Sequence, residues 1–127
     1  MPSDSTLGIL LISGTHDRAH YAFVLATGAA AIGRKVVLFA TNAGCRALLA
    51  DWSSLTNSAR DATLRANGVA GLAELREAAI ELGVTLIACE AGLRAESLYA
   101  APLLAEVQIA GVVTFLEKTP TAQLITL

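Results

Sequence analysis

Two cysteines are the residues of this sequence best suited to chemistry, because a thiolate is the nucleophile in sulfur exchange. Cys45 and Cys89 lie far apart and form no CxxC pair, so the sequence predicts neither a disulfide framework nor a zinc site. An ordinary cysteine has a pKa of about 8.5, so only a small fraction is ionised near pH 7. Close to Cys89, Arg94 favours the thiolate and an inward-pointing Glu90 would oppose it, which leaves the net effect open.

A second group of polar residues follows the first apolar run of the chain. His16 and Asp17 are candidates for orienting a sulfur donor, or for acid–base catalysis beside Cys89. The alternative is an ordinary helix start with a capping residue and a solvated His16. His16 and His20 could share a helix face, but without further ligands they do not predict a metal site. One histidine in a loop and the other on a solvated helix face is the simpler interpretation.

Candidate binding residues precede that helix and follow the second apolar run. Ser13, Gly14 and Thr15 would lie at a helix amino terminus, where backbone N–H groups bind anions such as sulfate or phosphate. The segment has neither a GxGxxG nor a Walker pattern, and no nucleophile elbow supports a catalytic serine. Asp17, Asn42 and Cys45 complete the candidate binding set. For Cys45, a buried or supporting role is favoured over that of a resolving thiol.

The apolar pattern predicts the elements that position these residues. Continuous apolar runs indicate buried strands over residues 7–12, 35–40 and 84–88, with shorter strands at 107–109 and 123–127. Helices are predicted between the strands. The first ends near residue 32, and the others cover residues 45–51, 58–66, 72–82, 94–104 and 111–118. In the last helix, Val112, Phe115 and Leu116 are expected to face inward. This alternation predicts a parallel sheet covered on both faces, with ligands at the carboxyl ends of its strands. If strands 2 and 3 flank strand 1, the cysteine segments are roughly 10 Å apart.

The composition restricts the class of protein. The chain has 127 residues, which fits one domain over residues 1–127, and its 54% hydrophobic content excludes intrinsic disorder. A net charge of -2 without a basic run argues against nucleic-acid binding. No run reaches the about 20 apolar residues of a membrane span, and the amino terminus lacks a basic signal region, which predicts a cytoplasmic protein. Only 16% of residues are charged, so we expect a homo-oligomer that buries part of the surface.

Three segments in chain order resemble the DsrE/DsrF-like family, nearest to its peroxiredoxin-like branch. They are ATGAAAIGRKVVLF (residues 26–39), GVTLIAC (83–89) and VQIAGVVTFL (107–116). The resemblance implies a flavodoxin-like α/β fold: a three-layer sandwich with a mostly parallel sheet of about five strands. It also implies trimers or hexamers, and a persulfide on Cys89 that is exchanged with TusA-like or rhodanese-like partners. Residues 41–44 (TNAG) and 90–93 (EAGL) depart from the family's usual residues, which bears on the partner and the substrate.

We therefore expect a cytoplasmic persulfide carrier or sulfurtransferase that uses Cys89, with His16 and Arg94 in support and no metal or cofactor. One alternative is a non-enzymatic module that binds a small anion or nucleotide, or serves assembly, and in which Cys89 is incidental. Another is a redox protein in which Cys45 and Cys89 pair.

Overall fold

The structure, a computed structural model, describes residues 5–127 and is built on a five-stranded sheet. The strands are β1 (Leu7–Leu11), β2 (Val36–Ala40), β3 (Thr85–Cys89), β4 (Gln108–Ala110) and β5 (Gln123–Thr126). All neighbouring strands are parallel, in the order β4-β3-β2-β1-β5. The predicted α/β fold with about five parallel strands is therefore confirmed.

Five α-helices and one 3₁₀ helix connect the strands. The α-helices are α1 (His16–Ala31), α2 (Arg60–Ala66), α3 (Leu72–Glu81), α4 (Glu90–Ala95) and α5 (Val112–Lys118), and the 3₁₀ helix is Asn42–Leu48. Gly33 and Gly83 follow α1 and α3 with φ of 91° and 82°, a conformation that glycine adopts without strain and that ends a helix. Among the residues described, no helix has the length and apolar character needed to cross a membrane.

The strand order explains why the two faces of the sheet are covered unequally. From β1 to β4 the chain moves in one direction across the sheet, and α1 and α3 pack together on one face over the larger apolar core. The chain then returns to the far side of β1 to form β5. Because parallel crossovers are right-handed, this reversal places α5 on the opposite face. There a small cluster surrounds Phe115, whose ring stacks on Phe39 with centroids 4.9 Å apart.

The strand order also corrects one expectation about the cysteines. Strand β2 lies between β1 and β3, so strands 2 and 3 do not flank strand 1. The segments that carry Cys45 and Cys89 therefore leave adjacent strands, which lie about 4.8 Å apart in a sheet. Periodicity within each strand cannot reveal this order, because β1, β2 and β3 are all apolar along almost their whole length.

Two predicted elements are wrong in extent or orientation. The helix expected over residues 94–104 ends at Ala95, and Ser97 adopts a φ of 58°. The chain beyond it lies along the end of the 3₁₀ helix, with the Ala50 N–H donating to the Pro102 carbonyl over 2.9 Å. In α5, Phe115 is buried as expected, but Val112 and Leu116 are 53% and 52% exposed. Phe115 is the one of these three side chains that packs on the sheet, where its ring stacks on Phe39.

Candidate functional site

Cys89 occupies the junction between a buried strand and a helix. It is the last residue of β3 and the N-cap of α4, and its Sγ accepts a hydrogen bond from the Gly92 N–H over 3.4 Å. The side chain is 7% exposed and packs on the α5 side of the sheet with Phe39, Ile87 and Phe115. The Gly92 N–H therefore holds the sulfur at the start of α4.

Glycine at position 92 is required by the packing of α4. A Cβ at this position would lie 2.6 Å from the Thr41 hydroxyl oxygen and would also meet the backbone nitrogen of Asn42. Asn42 itself has a φ of 52° at the start of the 3₁₀ helix. The first turn of α4 thus rests directly on the loop after β2, and this contact holds the Gly92 N–H in reach of Cys89.

The two charged residues expected to act on Cys89 are paired with each other. Arg94 donates to the Glu90 carboxylate over 3.3 Å, and both side chains are more than half exposed. The Arg94 guanidinium also lies 3.9 Å above the centre of the Tyr99 ring. Their charges therefore offset each other on the surface of α4, and the contacts around the thiol come from backbone and apolar groups instead.

Cys45 lies in the 3₁₀ helix that follows β2, at the same edge of the sheet as Cys89 but in a different environment. It is fully buried in the core on the α1 and α3 side, and its thiol donates to the Ala40 carbonyl over 3.5 Å. Burial, followed by the proximity of Cys89, raises the pKa of the Cys45 thiol to about 11. Both cysteines are free thiols, and their side chains belong to the apolar clusters of opposite sheet faces. The chemistry of a nucleophile therefore favours Cys89.

His16 and His20 are buried, contrary to the expectation of a loop histidine and a solvated one. Both belong to α1, and their rings stack with centroids 5.6 Å apart. His16 Nε2 lies 2.8 Å from Asp61, and His20 Nε2 lies 2.8 Å from the Ala70 carbonyl. The partners of His16 are therefore residues of α2, and the structure does not bring its ring to Cys89.

The loop of residues 13–15 hydrogen-bonds largely within the protein. The Ser13 hydroxyl accepts from the Thr15 N–H over 3.2 Å, and the His16 N–H donates to the Thr56 carbonyl over 2.9 Å. A Cβ at Gly14 would lie 2.7 Å from the Ala43 side chain, so glycine allows this loop to touch the one after β2. Asp17 is exposed, and the Thr15 hydroxyl and the Arg18 N–H lower the pKa of its carboxyl. Anion binding here stays a prediction.

Several buried polar residues were not anticipated from the sequence. Asp61 is 3% exposed and accepts from His16 and from the Leu72 N–H, over 2.8 Å each. Arg76 is buried on α3 and donates to the carbonyls of Ala47 and Leu49. Their partners lie 11 to 45 residues away in the chain, so periodicity gave no signal for them. Within residues 5–127 no cluster of three or more potential ligands could hold a metal ion.

The fold and this site define a class: an all-parallel, five-stranded α/β domain with a free cysteine at the carboxyl edge of its sheet. The model of the DsrE/DsrF-like family matches residues 7–127, and the chain belongs to that family. Two solved structures share the fold. The YchN protein from E. coli is 14% identical, with a TM-score of 0.68 over 97% of this chain and 99% of that one. Protein MTH1491 from Methanobacterium thermoautotrophicum, described as of unknown function, is 17% identical, with a TM-score of 0.64 over 98% of this chain and 100% of that one. A comparison with curated proteins found no match.

Proposed function

We propose that this protein carries or transfers sulfur as a persulfide on Cys89. The observation that carries the proposal is the position of a free thiol at the end of β3, with the Gly92 N–H directed at its sulfur, in a DsrE/DsrF-like chain. The family is generally linked to sulfur relay. Free thiols also fit the reducing cytoplasm, which we propose as the location.

The proposed chemistry is a pair of sulfur exchanges. The Cys89 thiolate attacks the outer sulfur of a donor persulfide, a new S–S bond forms on Cys89, and the donor leaves as its thiolate. An acceptor thiolate then attacks the outer sulfur of the Cys89 persulfide and releases the Cys89 thiolate. No net oxidant or reductant is needed, because one sulfane sulfur passes between thiols. Carriers of the TusA or rhodanese type are the proposed partners.

Intact mass spectrometry tests the proposal directly. After incubation with a low-molecular-weight persulfide, we expect an adduct of about 32 Da, the mass of one sulfur atom, on the wild-type chain. The adduct should be absent from Cys89→Ser and retained by Cys45→Ala, the control substitution at the buried thiol. Dithiothreitol should remove it. A wild-type chain without the adduct, or a Cys89→Ser chain that keeps it, contradicts the proposal.

We also propose that the protein is a homo-oligomer, with trimers or hexamers favoured by the family resemblance. The support is the exposure of apolar side chains such as Val112 and Leu116 on the α5 face of the sheet. The proposal does not require the partner copy to take part in sulfur transfer.

A further inference from the structure

A buried polar cluster connects α1 to α2 on the face of the sheet opposite to Cys89. His16 is fully buried, with Nε2 2.8 Å from Asp61 Oδ1 and Nδ1 3.3 Å from a terminal nitrogen of Arg60. Asp61 is the buried residue of α2, whose remaining side chains are partly or fully exposed. Asp61 also accepts from Leu72 N–H and pairs with Arg65 over 3.3 Å. This cluster is separate from the proposed sulfur chemistry.

The hydrogen bonds assign the protonation state of His16. A guanidinium can only donate, so His16 Nδ1 must accept from Arg60 with its lone pair. Nε2 then carries the proton of the neutral ring and donates to the Asp61 carboxylate. The neutral imidazole thus bridges a guanidinium and a carboxylate, and it can do so only while Nδ1 is unprotonated.

The charged groups around His16 come from several elements. Those facing it directly are Arg60 and Asp61 from α2, the stacked ring of His20 from α1, and Arg65 through Asp61. In the first turn of α1, Asp17 interacts with the charges of Arg60 and Arg18.

Among the charged groups of the other elements packed on α1, three have partners away from His16, and Glu77 and Glu81 of α3 are exposed. On α3, Glu74 accepts from the Gly71 N–H and Arg76 binds carbonyls of the 3₁₀ helix end. In the 3₁₀ helix, Arg46 pairs with Glu96 over 2.6 Å. The competition at His16 therefore involves one carboxylate and two guanidiniums, all from α2.

We propose that His16 and Arg60 form a proton-operated latch, in which a proton from solvent and the Arg60 guanidinium compete for the same nitrogen lone pair. When Nδ1 takes up the proton, it becomes a donor, and the Arg60 hydrogen bond is lost. Arg60 is only half-buried, so its guanidinium turns to water and toward the exposed carboxylate of Asp17. Asp61 keeps its hydrogen bond to Nε2 of the protonated ring, so α2 stays attached to α1. The change is in the position of the Arg60 charge at the start of α2.

Trp52 provides a built-in reporter for this step. It is the one tryptophan in the sequence, and its ring centroid lies 5.9 Å from that of His16. An imidazolium quenches indole fluorescence more strongly than a neutral imidazole. On stepwise acidification we expect a reversible loss of Trp52 emission without loss of helical circular dichroism.

The variant Arg60→Met tests the competition itself. It removes both the competing donor and a positive charge, so the fluorescence transition should move to higher pH. Arg18→Met is the matched control, since it makes the same charge change at an exposed position beside the cluster and should leave the transition almost in place. In addition, His16→Gln should abolish the transition.

Three results would overturn the latch. They are a wild-type chain with no transition, a shift of equal size in Arg60→Met and Arg18→Met, and a transition that persists in folded His16→Gln, which would assign the proton to His20. If His16→Gln does not fold, the comparison of the two arginine variants decides the question by itself. A failed persulfide assay would not affect this outcome, because Cys89 takes no part in it.

Discussion

The two cysteines differ because their surroundings differ, although both follow strands of the same sheet. Cys45 is enclosed by the main core, where burial raises the pKa of its thiol to about 11 and keeps it protonated at neutral pH. Cys89 receives a backbone N–H from the first turn of α4 and retains a small exposed fraction. The position of Gly92 produces this contact, since it allows α4 to touch the loop at Thr41.

Replacement of Gly92 by alanine tests this packing at the scale of one methyl group. The added Cβ meets Thr41 and the Asn42 backbone, so Gly92→Ala should lower the free energy of unfolding by about 1–3 kcal/mol and reduce the persulfide adduct on Cys89. Gly28→Ala is the control, because a Cβ there meets nothing within 4 Å and replaces a glycine inside α1. It should raise the free energy of unfolding by about 0.5–1 kcal/mol. Urea unfolding measures both; equal stability of the two variants would refute the close contact.

At the scale of elements, the carboxylate of Asp61 connects α2 to its neighbours. Asp61 binds the His16 ring of α1 and the Leu72 N–H at the start of α3, so a single side chain joins three helices. Burial alone would raise the pKa of Asp61, but the hydrogen bonds from Leu72 and His16 outweigh it and lower the pKa below its ordinary value. The folded state therefore binds this proton less readily than the unfolded state does.

The sign of that shift predicts how stability depends on pH. The contribution of ionised Asp61 is complete above the ordinary carboxyl pKa of about 4, and it is lost as the pH falls through the lower value of the folded state. Asp61→Asn keeps the shape and one acceptor but loses the charge, so near pH 7 it should cost about 1–3 kcal/mol of unfolding free energy. The difference from wild type should shrink below about pH 4.

Chemical denaturation of both proteins at several pH values measures this difference. Asp51→Asn, the same substitution at a fully exposed aspartate that accepts from the Ser53 N–H, is the control and should change stability little. A penalty for Asp61→Asn that is constant from neutral to strongly acidic pH would show that the charge of Asp61 is not what stabilises α2.

At the scale of the whole molecule, the two faces of the sheet are unequally covered. Helices α1 and α3 shield one face, whereas the short α5 leaves apolar side chains exposed on the other. They are Val112, Val113, Leu116 and, from the adjoining edge strand, Leu124, with exposed fractions of 53%, 65%, 52% and 53%. Leu124 belongs to this surface because its side chain and that of Phe115 both lie over Gly8. A contiguous apolar surface of this kind is typical of a subunit interface.

The substitution Val113→Glu tests whether this surface joins copies of the chain. A carboxylate at the centre of an apolar interface loses hydration without gaining a partner, so the variant should dissociate to monomers at micromolar concentration. Ile32→Glu is the matched control: Ile32 is 72% exposed at the end of α1, on the other face, and its replacement should leave the assembly intact. Sedimentation velocity gives the masses. A wild-type protein that is monomeric at micromolar concentration would contradict the interface.

Much of the fold followed from the amino-acid sequence by itself. The continuous apolar runs at 7–12, 35–40 and 84–88 located the central strands, which the structure has at 7–11, 36–40 and 85–89, since a strand buried on both faces consists largely of apolar residues. The glycines at 33 and 83 marked the ends of α1 and α3. The same pattern placed Cys89 at the carboxyl edge of the sheet, where the structure has it. These features depend on local periodicity and backbone preference, which neighbouring residues encode.

The tertiary structure alone decided which of these elements meet. Strand order made β2 and β3 neighbours and placed α5 by itself on one face, and so exposed Leu116 although its helical spacing from Val112 suggested an inward position. Residue type did not show that Glu90 and Arg94 pair with each other, nor that His16 is buried against Asp61, 45 residues away in the chain. Hydrogen bonds between distant segments depend on three-dimensional packing, and a charged or polar side chain in the sequence looks the same whether it is solvated or enclosed.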